Sequence, residues 1–106
     1  MADSTYVVTN SNSLSWQEDE AVPGMETKWL GTVDGQTMQL FRYAPNTSYP
    51  EHRHKGPEFV FMIEGRARLA GQWLEPGWSS IGETGSLDSD FLSGDEGCVL
   101  LAIYTP

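Results

Sequence analysis

Glycine and proline interrupt this chain so often that few segments could form a helix of ordinary length. The 106 residues include 11 glycines and 6 prolines, which separate short runs rich in β-branched and aromatic side chains. Runs of this kind, bounded by turn residues, are typical of strands in an antiparallel sandwich or barrel. Because no stretch of about 10 residues has the apolar period of a helix, the sequence predicts an all-β fold.

The length allows one domain, residues 1–106, since a chain of this size builds a single core. We expect residues 1–12 to form a partly mobile N-terminal segment. Tight hairpin turns are predicted at Val33-Asp34-Gly35 and at Glu64-Gly65-Arg66, where glycine allows the required backbone angles. The expected strands span residues 6–9, 26–33, 37–43, 58–64, 66–70, 73–75, 78–81 and 98–104.

Acidic residues outnumber basic ones, 15 to 6, which gives a formal net charge of −9. A basic surface for nucleic acid is therefore not expected, nor is attraction to an anionic membrane. The chain has no apolar run near the ~18 residues that a membrane span needs, and its N-terminus lacks the basic and apolar parts of a signal peptide. With a single cysteine, Cys98, no internal disulfide can form, so the cytoplasm is the expected location.

The only two histidines, His52 and His54, are two residues apart, and Glu58 follows four residues after the second. In a strand, residues i and i+2 point to the same face, so both imidazoles can reach one metal ion. Imidazole is the commonest metal ligand among side chains, and a nearby carboxylate adds both a ligand and negative charge. The pattern predicts that this segment holds a metal ion.

The strand that begins at Glu58 carries large apolar residues on both faces. If Glu58 faces the metal ion, alternation places Val60 and Met62 on the same interior face. The opposite face then presents three large apolar side chains, which rarely stay in water: Phe59, Phe61 and Ile63. Either another segment of the sheet or a second subunit would cover them, and we expect a homodimer.

The spacing His52-x-His54-x3-Glu58-x6-Gly65 resembles the first motif of the cupin superfamily. Cupins are small jelly-roll β-barrels, also described as double-stranded β-helices, and they usually hold one metal ion. The resemblance therefore implies this fold for the chain, with His52, His54 and Glu58 as metal ligands. One difference is Asn46, which stands where cupins usually have glycine, although asparagine tolerates glycine-like backbone angles.

Gly77 and Gly85 match parts of the second cupin motif, whose histidine normally completes the metal site, and Asp88 stands in place of that histidine. If Asp88 is a ligand, two imidazoles and two carboxylates favour Mn(II) or Fe(II), with Zn(II) also able to bind. If Asp88 is a loop residue, the three remaining ligands leave positions open for water, oxygen or substrate. Both alternatives imply one divalent transition metal, Fe, Mn, Zn or Ni.

Residues 22–104 also resemble the cupin domain of zinc-dependent anti-sigma factors and related stand-alone proteins similar to dioxygenases. The resemblance implies a metal-dependent, dioxygenase-like enzyme acting on a small organic molecule, without identifying catalytic residues. The alternative is a non-catalytic metal-binding, ligand-binding or sensor module. Sigma-factor control is not expected, because the chain lacks the length and the Cys and His residues of the additional helical zinc domain.

Three side chains are candidates for a substrate pocket in this barrel: Arg42, Met62 and Trp78. Arg42 is included because it shares a strand face with Met38 and Leu40, and it would point inward if they do. A guanidinium group in that position could hold an anionic or carbonyl substrate.

Overall fold

Antiparallel pairs connect all the strands in residues 5–106, the part of the chain that the computed structural model describes. These residues form no α-helix, and therefore none that could cross a membrane; one 3-10 turn spans Ser11–Ser13. The all-β prediction is confirmed. The nine strands are β1 (Gln17–Glu18), β2 (Met25–Val33), β3 (Gln36–Tyr43), β4 (His52–Arg53), β5 (Glu58–Leu69), β6 (Gln72–Leu74), β7 (Ser79–Gly82), β8 (Leu87–Asp88) and β9 (Leu92–Tyr104).

Seven strands form one sheet in the order β1-β2-β3-β9-β5-β6, and β7 pairs with the first part of β5. The long strands β5 and β9 lie side by side, where Phe59 pairs with Ile103 and Phe61 with Leu101. The short strands β4 and β8 form a separate two-stranded sheet. The histidine pair therefore lies on a small ribbon beside the start of β5, outside the main sheet.

The hairpin between β2 and β3 turns at Asp34 and Gly35, which have positive φ angles of 51° and 78°. A type I′ turn requires two consecutive positive φ angles, so the first predicted turn is confirmed. The second predicted hairpin, at Gly65, is wrong, because β5 continues through this residue with a register shift on each side. A Cβ at Gly65 would overlap the Gly97 carbonyl oxygen. Glycine here allows a close backbone approach inside the sheet, as in a β-bulge.

Residues 6–9 form no strand, although the sequence predicted one. The segment instead lies along β2, where Thr9 Oγ1 donates a hydrogen bond of 2.9 Å to a backbone carbonyl oxygen. Lys28 Nζ donates another, of 2.8 Å, to the Ser11 carbonyl oxygen. These bonds attach the segment at separate points, without the regular ladder that defines a strand. Residues 1–4 of the predicted mobile segment lie outside the described residues.

Alternation along β5 follows the predicted parity. Val60 and Met62 are 5% and 1% exposed, whereas Phe59, Phe61 and Ile63 are 39%, 46% and 42% exposed. The inner face packs into the core, and the outer face is left apolar and accessible. No segment within residues 5–106 covers that outer face, contrary to one of the two alternatives that the sequence allowed.

Candidate metal centre

The two histidines and Glu58 converge although they lie on two different segments. His52 begins β4, His54 follows that strand, and Glu58 begins β5 after a short turn. One potential ligand atom of each residue lies within 4.8 Å of the other two, and all three residues are half-buried. The distance from His54 Nε2 to Glu58 Oε1 is 3.4 Å. This geometry allows the three residues to hold one metal ion.

A hydrogen bond fixes the imidazole of His52. Its Nδ1 donates to the Pro50 carbonyl oxygen at 2.9 Å, so Nε2 keeps the lone pair that a metal ion needs. The ring centroids of His52 and His54 are 4.8 Å apart, and the two planes meet at 80°. The Tyr49 ring packs edge-on against His52, with centroids 5.1 Å apart. The hydrogen bond and the two ring contacts therefore fix the orientation of the His52 imidazole.

Burial disfavours the charged forms of Glu58, Asp88 and His54. It raises the pKa of Glu58 to about 7, with a further increase from the Asp88 carboxylate and an opposing effect of His52. Burial also raises the pKa of Asp88, whereas His52 and His54 act to lower it. The pKa of His54 is lowered, first by burial and then by His52. A divalent cation would offset the charge of both carboxylates and bind neutral imidazoles. The donor set therefore fits such an ion.

Asp88 lies directly opposite His52 in the β4–β8 pair. Opposed residues of an antiparallel pair project to the same side, and both side chains line the same cavity. Asp88 nevertheless lies outside the group of three residues whose ligand atoms are within 4.8 Å of one another. The structure thus brings Asp88 next to the site, and its role as a ligand stays a prediction.

The site opens into a cavity of about 480 Å³, a size typical of sites for small molecules. Alternate residues of β3 and β9 form one wall of the cavity, and loop residues form other parts of its lining. Two ring pairs pack closely there: the centroids of Tyr43 and Phe91 are 4.6 Å apart, and those of Phe41 and Tyr104 are 6.1 Å apart. From the sequence, aromatic residues of this kind are usually assigned to the core. The cavity aromatic residues are Phe41, Tyr43, Tyr49, Phe91 and Tyr104.

The structure does not place Arg42 in the cavity, because β3 turns its other face inward. Phe41 pairs with the buried Leu100, so alternation directs Arg42 outward. Its Nη2 is 2.9 Å from Glu26 Oε1, and its guanidinium group lies 4.5 Å from the centre of the Trp16 ring. Arg42 thus stabilises the outer side of the sheet instead of holding a substrate.

Met62 and Trp78 also lie outside the cavity wall. Met62 is 1% exposed and belongs to the apolar core. Trp78 is 51% exposed and lies in the turn before β7, where its backbone N–H donates to the Glu75 carbonyl oxygen at 2.9 Å. Alternation correctly placed Met62 inside, but it cannot distinguish a core position from a cavity position on the same strand face.

Solved structures with the same fold include two proteins that bear the names of enzymes. An acetylacetone dioxygenase from Acinetobacter johnsonii has a TM-score of 0.80 and 16% identity, over 99% of this chain and 76% of that chain. The polyketide cyclase RemF from Streptomyces resistomycificus has a TM-score of 0.80 and 17% identity, over 94% of this chain and 79% of that chain. At such identities the likeness shows a shared fold alone.

A third similar structure is the complex of Rhodobacter sphaeroides SigE with the anti-sigma ChrR. It has a TM-score of 0.73 and 18% identity, over 90% of this chain and 50% of that chain, so the match spans half of the longer protein. No curated protein matches the sequence. A family model described as the ChrR cupin-like domain matches residues 4–106. Because that match spans nearly the whole chain, this protein belongs to the ChrR cupin-like family and has the jelly-roll fold of the cupins.

Proposed function

We propose that this protein is a metal-dependent, dioxygenase-like cupin enzyme that acts on a small organic molecule. The observation that supports the proposal is that His52, His54, Glu58 and Asp88 all line one cavity of about 480 Å³. A small molecule in this cavity would lie directly beside the metal ion. Two proteins of the same fold are named as enzymes, an acetylacetone dioxygenase and a polyketide cyclase.

His52, His54 and Glu58 would hold one divalent transition metal, Fe, Mn, Zn or Ni, and we propose Asp88 as the fourth ligand. When bound, the ion would supply Lewis acidity and a template for a substrate oxygen. Two carboxylates in the ligand set favour Fe(II) or Mn(II), which prefer oxygen ligands more than the later metals do.

The cavity wall would orient the substrate and keep water away from it. Tyr43 and Phe91 pack with ring centroids 4.6 Å apart and present flat apolar surfaces. Burial, followed by smaller effects of nearby groups including Tyr49, raises the pKa of Tyr43 well above its usual range. The Tyr43 hydroxyl therefore stays protonated at neutral pH. These properties suit an uncharged, planar substrate.

The alternative is a non-catalytic metal-binding or ligand-binding module, such as a sensor. The family match favours this alternative, because the family takes its description from ChrR, which one similar structure shows as an anti-sigma protein bound to SigE. The same residues would bind the metal ion in both cases. The two functions therefore differ in turnover, not in the metal site.

We also propose that a second copy of this chain covers the outer apolar face of the sheet. The pairing register aligns apolar side chains from neighbouring strands in two rows. The first row contains Met38, Ile103, Phe59 and Ile81, and the second contains Leu40, Leu101 and Phe61. An apolar surface that continues across four strands is uncommon on a monomer.

The exposed part of this face is large enough for a stable dimer. At about 200 Å² for a fully exposed large apolar side chain, the exposed fractions of Met38, Phe59, Phe61, Ile63 and Ile81 amount to roughly 500 Å². A standard interface buries about 800 Å² per partner, and about 65% of it is apolar in homodimers. The face therefore matches the apolar area that one subunit of a homodimer contributes.

Light scattering at micromolar concentration tests the homodimer. We expect twice the chain mass of 11.8 kDa for the wild type and a monomer for Phe61→Glu. Leu87→Glu is the matched control, because Leu87 is as exposed as Phe61, at 46%, but lies on β8, outside the main sheet. A monomeric wild type would contradict the proposal.

Metal content, measured by mass spectrometry on protein purified without a histidine tag, tests the metal site. After reconstitution with Fe(II), Mn(II), Zn(II) or Ni(II), we expect one ion per chain in the wild type and a large loss in His52→Ala and His54→Ala. Glu51→Gln is the control, because this exposed carboxylate is next to His52 but outside the proposed ligand set. If the wild type holds far less than one ion per chain with each of the four metals, the site is excluded.

Oxygen consumption distinguishes the enzyme from the sensor. Protein loaded anaerobically with Fe(II) is mixed with oxygen and a panel of 1,3-dicarbonyl and hydroxyketone compounds that includes acetylacetone. We expect oxygen uptake with at least one compound, and none with His52→Ala. Stoichiometric metal binding without uptake across the panel would favour the sensor.

A further inference from the structure

We propose that Gln39, held in place by Tyr104, determines the substrate specificity of the cavity. In this proposal Gln39 donates a hydrogen bond to a neutral acceptor oxygen at the end of the substrate remote from the metal ion. The inference rests on the proposed function, because it requires a small molecule bound beside the ion. Neither residue was among the site residues that the sequence predicted.

A hydrogen bond sets the orientation of the Gln39 amide. The Tyr104 hydroxyl donates to Gln39 Oε1 at 2.5 Å, and both side chains line the cavity. Since the bond uses the amide oxygen, the N–H groups of Gln39 are the end of the amide that can donate to a molecule in the cavity. The bond also restricts rotation of the Gln39 side chain, which lowers the entropy cost of binding a ligand.

The register of three neighbouring strands places Gln39 across the cavity floor from the metal site. Gln39 on β3 pairs with Ala102 on β9, and Ala102 pairs with Val60 on β5. Glu58 is two residues before Val60, so it projects from the same face. The strands of Gln39 and Glu58 are therefore separated by two strand spacings, about 10 Å. A substrate with a single ring and one substituent has about the right length to reach both.

Charge defines the chemistry of the remote end of the substrate. The β3 and β9 side chains that line the cavity are all uncharged, and the basic residues at the cavity, Arg53 and Lys55, are exposed. Arg53 Nη1 donates to the Gly85 carbonyl oxygen at 3.1 Å. The half-buried Asp19 also lines the cavity, but its backbone N–H donates to the carbonyl oxygen of Met25, which pairs with Tyr43, so it lies at the far end of β3 from Gln39. A carboxylate or an ammonium group buried near Gln39 would therefore lack a partner of opposite charge, which is costly. The expected substrate therefore has a metal-binding oxygen at one end and a neutral carbonyl at the other.

Substituted benzohydroxamic acids provide suitable probes, because the hydroxamate group binds divalent metals. Benzohydroxamic acids with an acetyl group at the meta or para ring position are compared with their isopropenyl analogues, which have the same shape but no acceptor oxygen. Affinities for the metal-loaded protein are measured by calorimetry, after the metal content of each variant has been determined. We expect the wild type to bind at least one acetyl compound about 3- to 10-fold more tightly than its analogue, as one added hydrogen bond would give.

Two variants identify the residues responsible. Gln39→Leu should abolish the preference for the acetyl compound, so that the acetyl and isopropenyl compounds bind with equal affinity. Tyr104→Phe should reduce the ratio of the two affinities without abolishing it, because the Gln39 amide is still present but is no longer held by the Tyr104 hydroxyl. Gln72→Leu is the control, since Gln72 is exposed on β6, and it should bind both compounds as the wild type does.

The outcomes separate this inference from the proposed function. A metal-loaded wild type that binds no hydroxamate, or binds both members of every pair equally, overturns the role of Gln39 but leaves the metal site intact. A preference that persists in Gln39→Leu also overturns it. A wild type that binds no metal overturns the proposed function, and the inference with it.

Discussion

His54 Nε2 lies 3.4 Å from Glu58 Oε1, across the turn that joins β4 to β5. Gly56 in this turn is buried and packs against the side chain of Thr105, just after the end of β9. The turn thus connects the two-stranded β4–β8 sheet, which includes His52, to the main sheet. Its conformation sets the distance between two of the proposed metal ligands.

Replacing Gly56 tests this dependence. A Cβ at Gly56 would overlap the Thr105 side chain, so Gly56→Ala should displace the turn and the ligands on both sides of it. Because ligands must be held within about 0.5 Å of their working geometry, we expect metal affinity to fall about 10-fold. Competition with a chromophoric chelator measures the change. Adding Thr105→Gly to Gly56→Ala should restore the affinity; wild-type affinity in the single variant would contradict the argument.

The sequence left two alternatives for Asp88, a metal ligand or a loop residue, and a single substitution tests them. Asp88→Asn keeps the size of the side chain but removes its charge, so as the variant of a proposed ligand it should lower metal affinity about 10- to 100-fold. Asp95→Asn is the control, because Asp95 is exposed on β9. Equal affinities of the wild type and Asp88→Asn would show that Asp88 is a loop residue.

The raised pKa of Glu58 predicts how the metal-free protein responds to pH. Its pKa is 4.5 when unfolded and about 7 when folded, so the folded state binds the proton more tightly. The contribution of Glu58 to the free energy of unfolding is fully present below pH 4.5 and is lost as the pH rises through 7. We expect the free energy of unfolding of the chelator-treated protein to fall by roughly 1–3 kcal/mol over this window.

Urea denaturation at pH 5 and pH 8 measures this effect, with Glu58→Gln as the comparison. The variant cannot ionise at this position, so its stability should depend less on pH, and it should exceed the wild type in stability at pH 8 when metal is absent. Metal binding requires deprotonated ligands, so saturating metal should reverse the wild-type trend. The same pH dependence in both proteins would exclude Glu58 as the group responsible.

Local patterns in the sequence were sufficient for most of the fold. The turn at Asp34 and Gly35 depends on residues that tolerate positive φ, and the alternation of Val60 and Met62 with their neighbours is visible without any structure. The hairpin predicted at Gly65 was wrong because glycine is common in both hairpin turns and β-bulges. Only the contact with Gly97, 32 positions along the chain, distinguishes the two.

The metal site was predictable from sequence to a greater extent than the cavity. His52, His54 and Glu58 are close in sequence, so a short turn brings them together. The cavity depends on which face of β3 turns inward, and apolar residues on both faces of that strand gave no local signal. The register with β9 decides it, placing Gln39 inside and Arg42 outside.

The close approach of Gly65 to Gly97 predicts a large difference between two glycine positions. Gly65 and Gly71 both have positive φ, 66° and 76°, so alanine at either position costs roughly 1–2 kcal/mol from the backbone alone. A Cβ at Gly71 meets no atom within 4 Å, whereas one at Gly65 overlaps the Gly97 carbonyl oxygen. Gly65→Ala should therefore lower the free energy of unfolding by at least about 2 kcal/mol more than Gly71→Ala does. Equal losses in urea denaturation would mean that the two strands separate readily at this point.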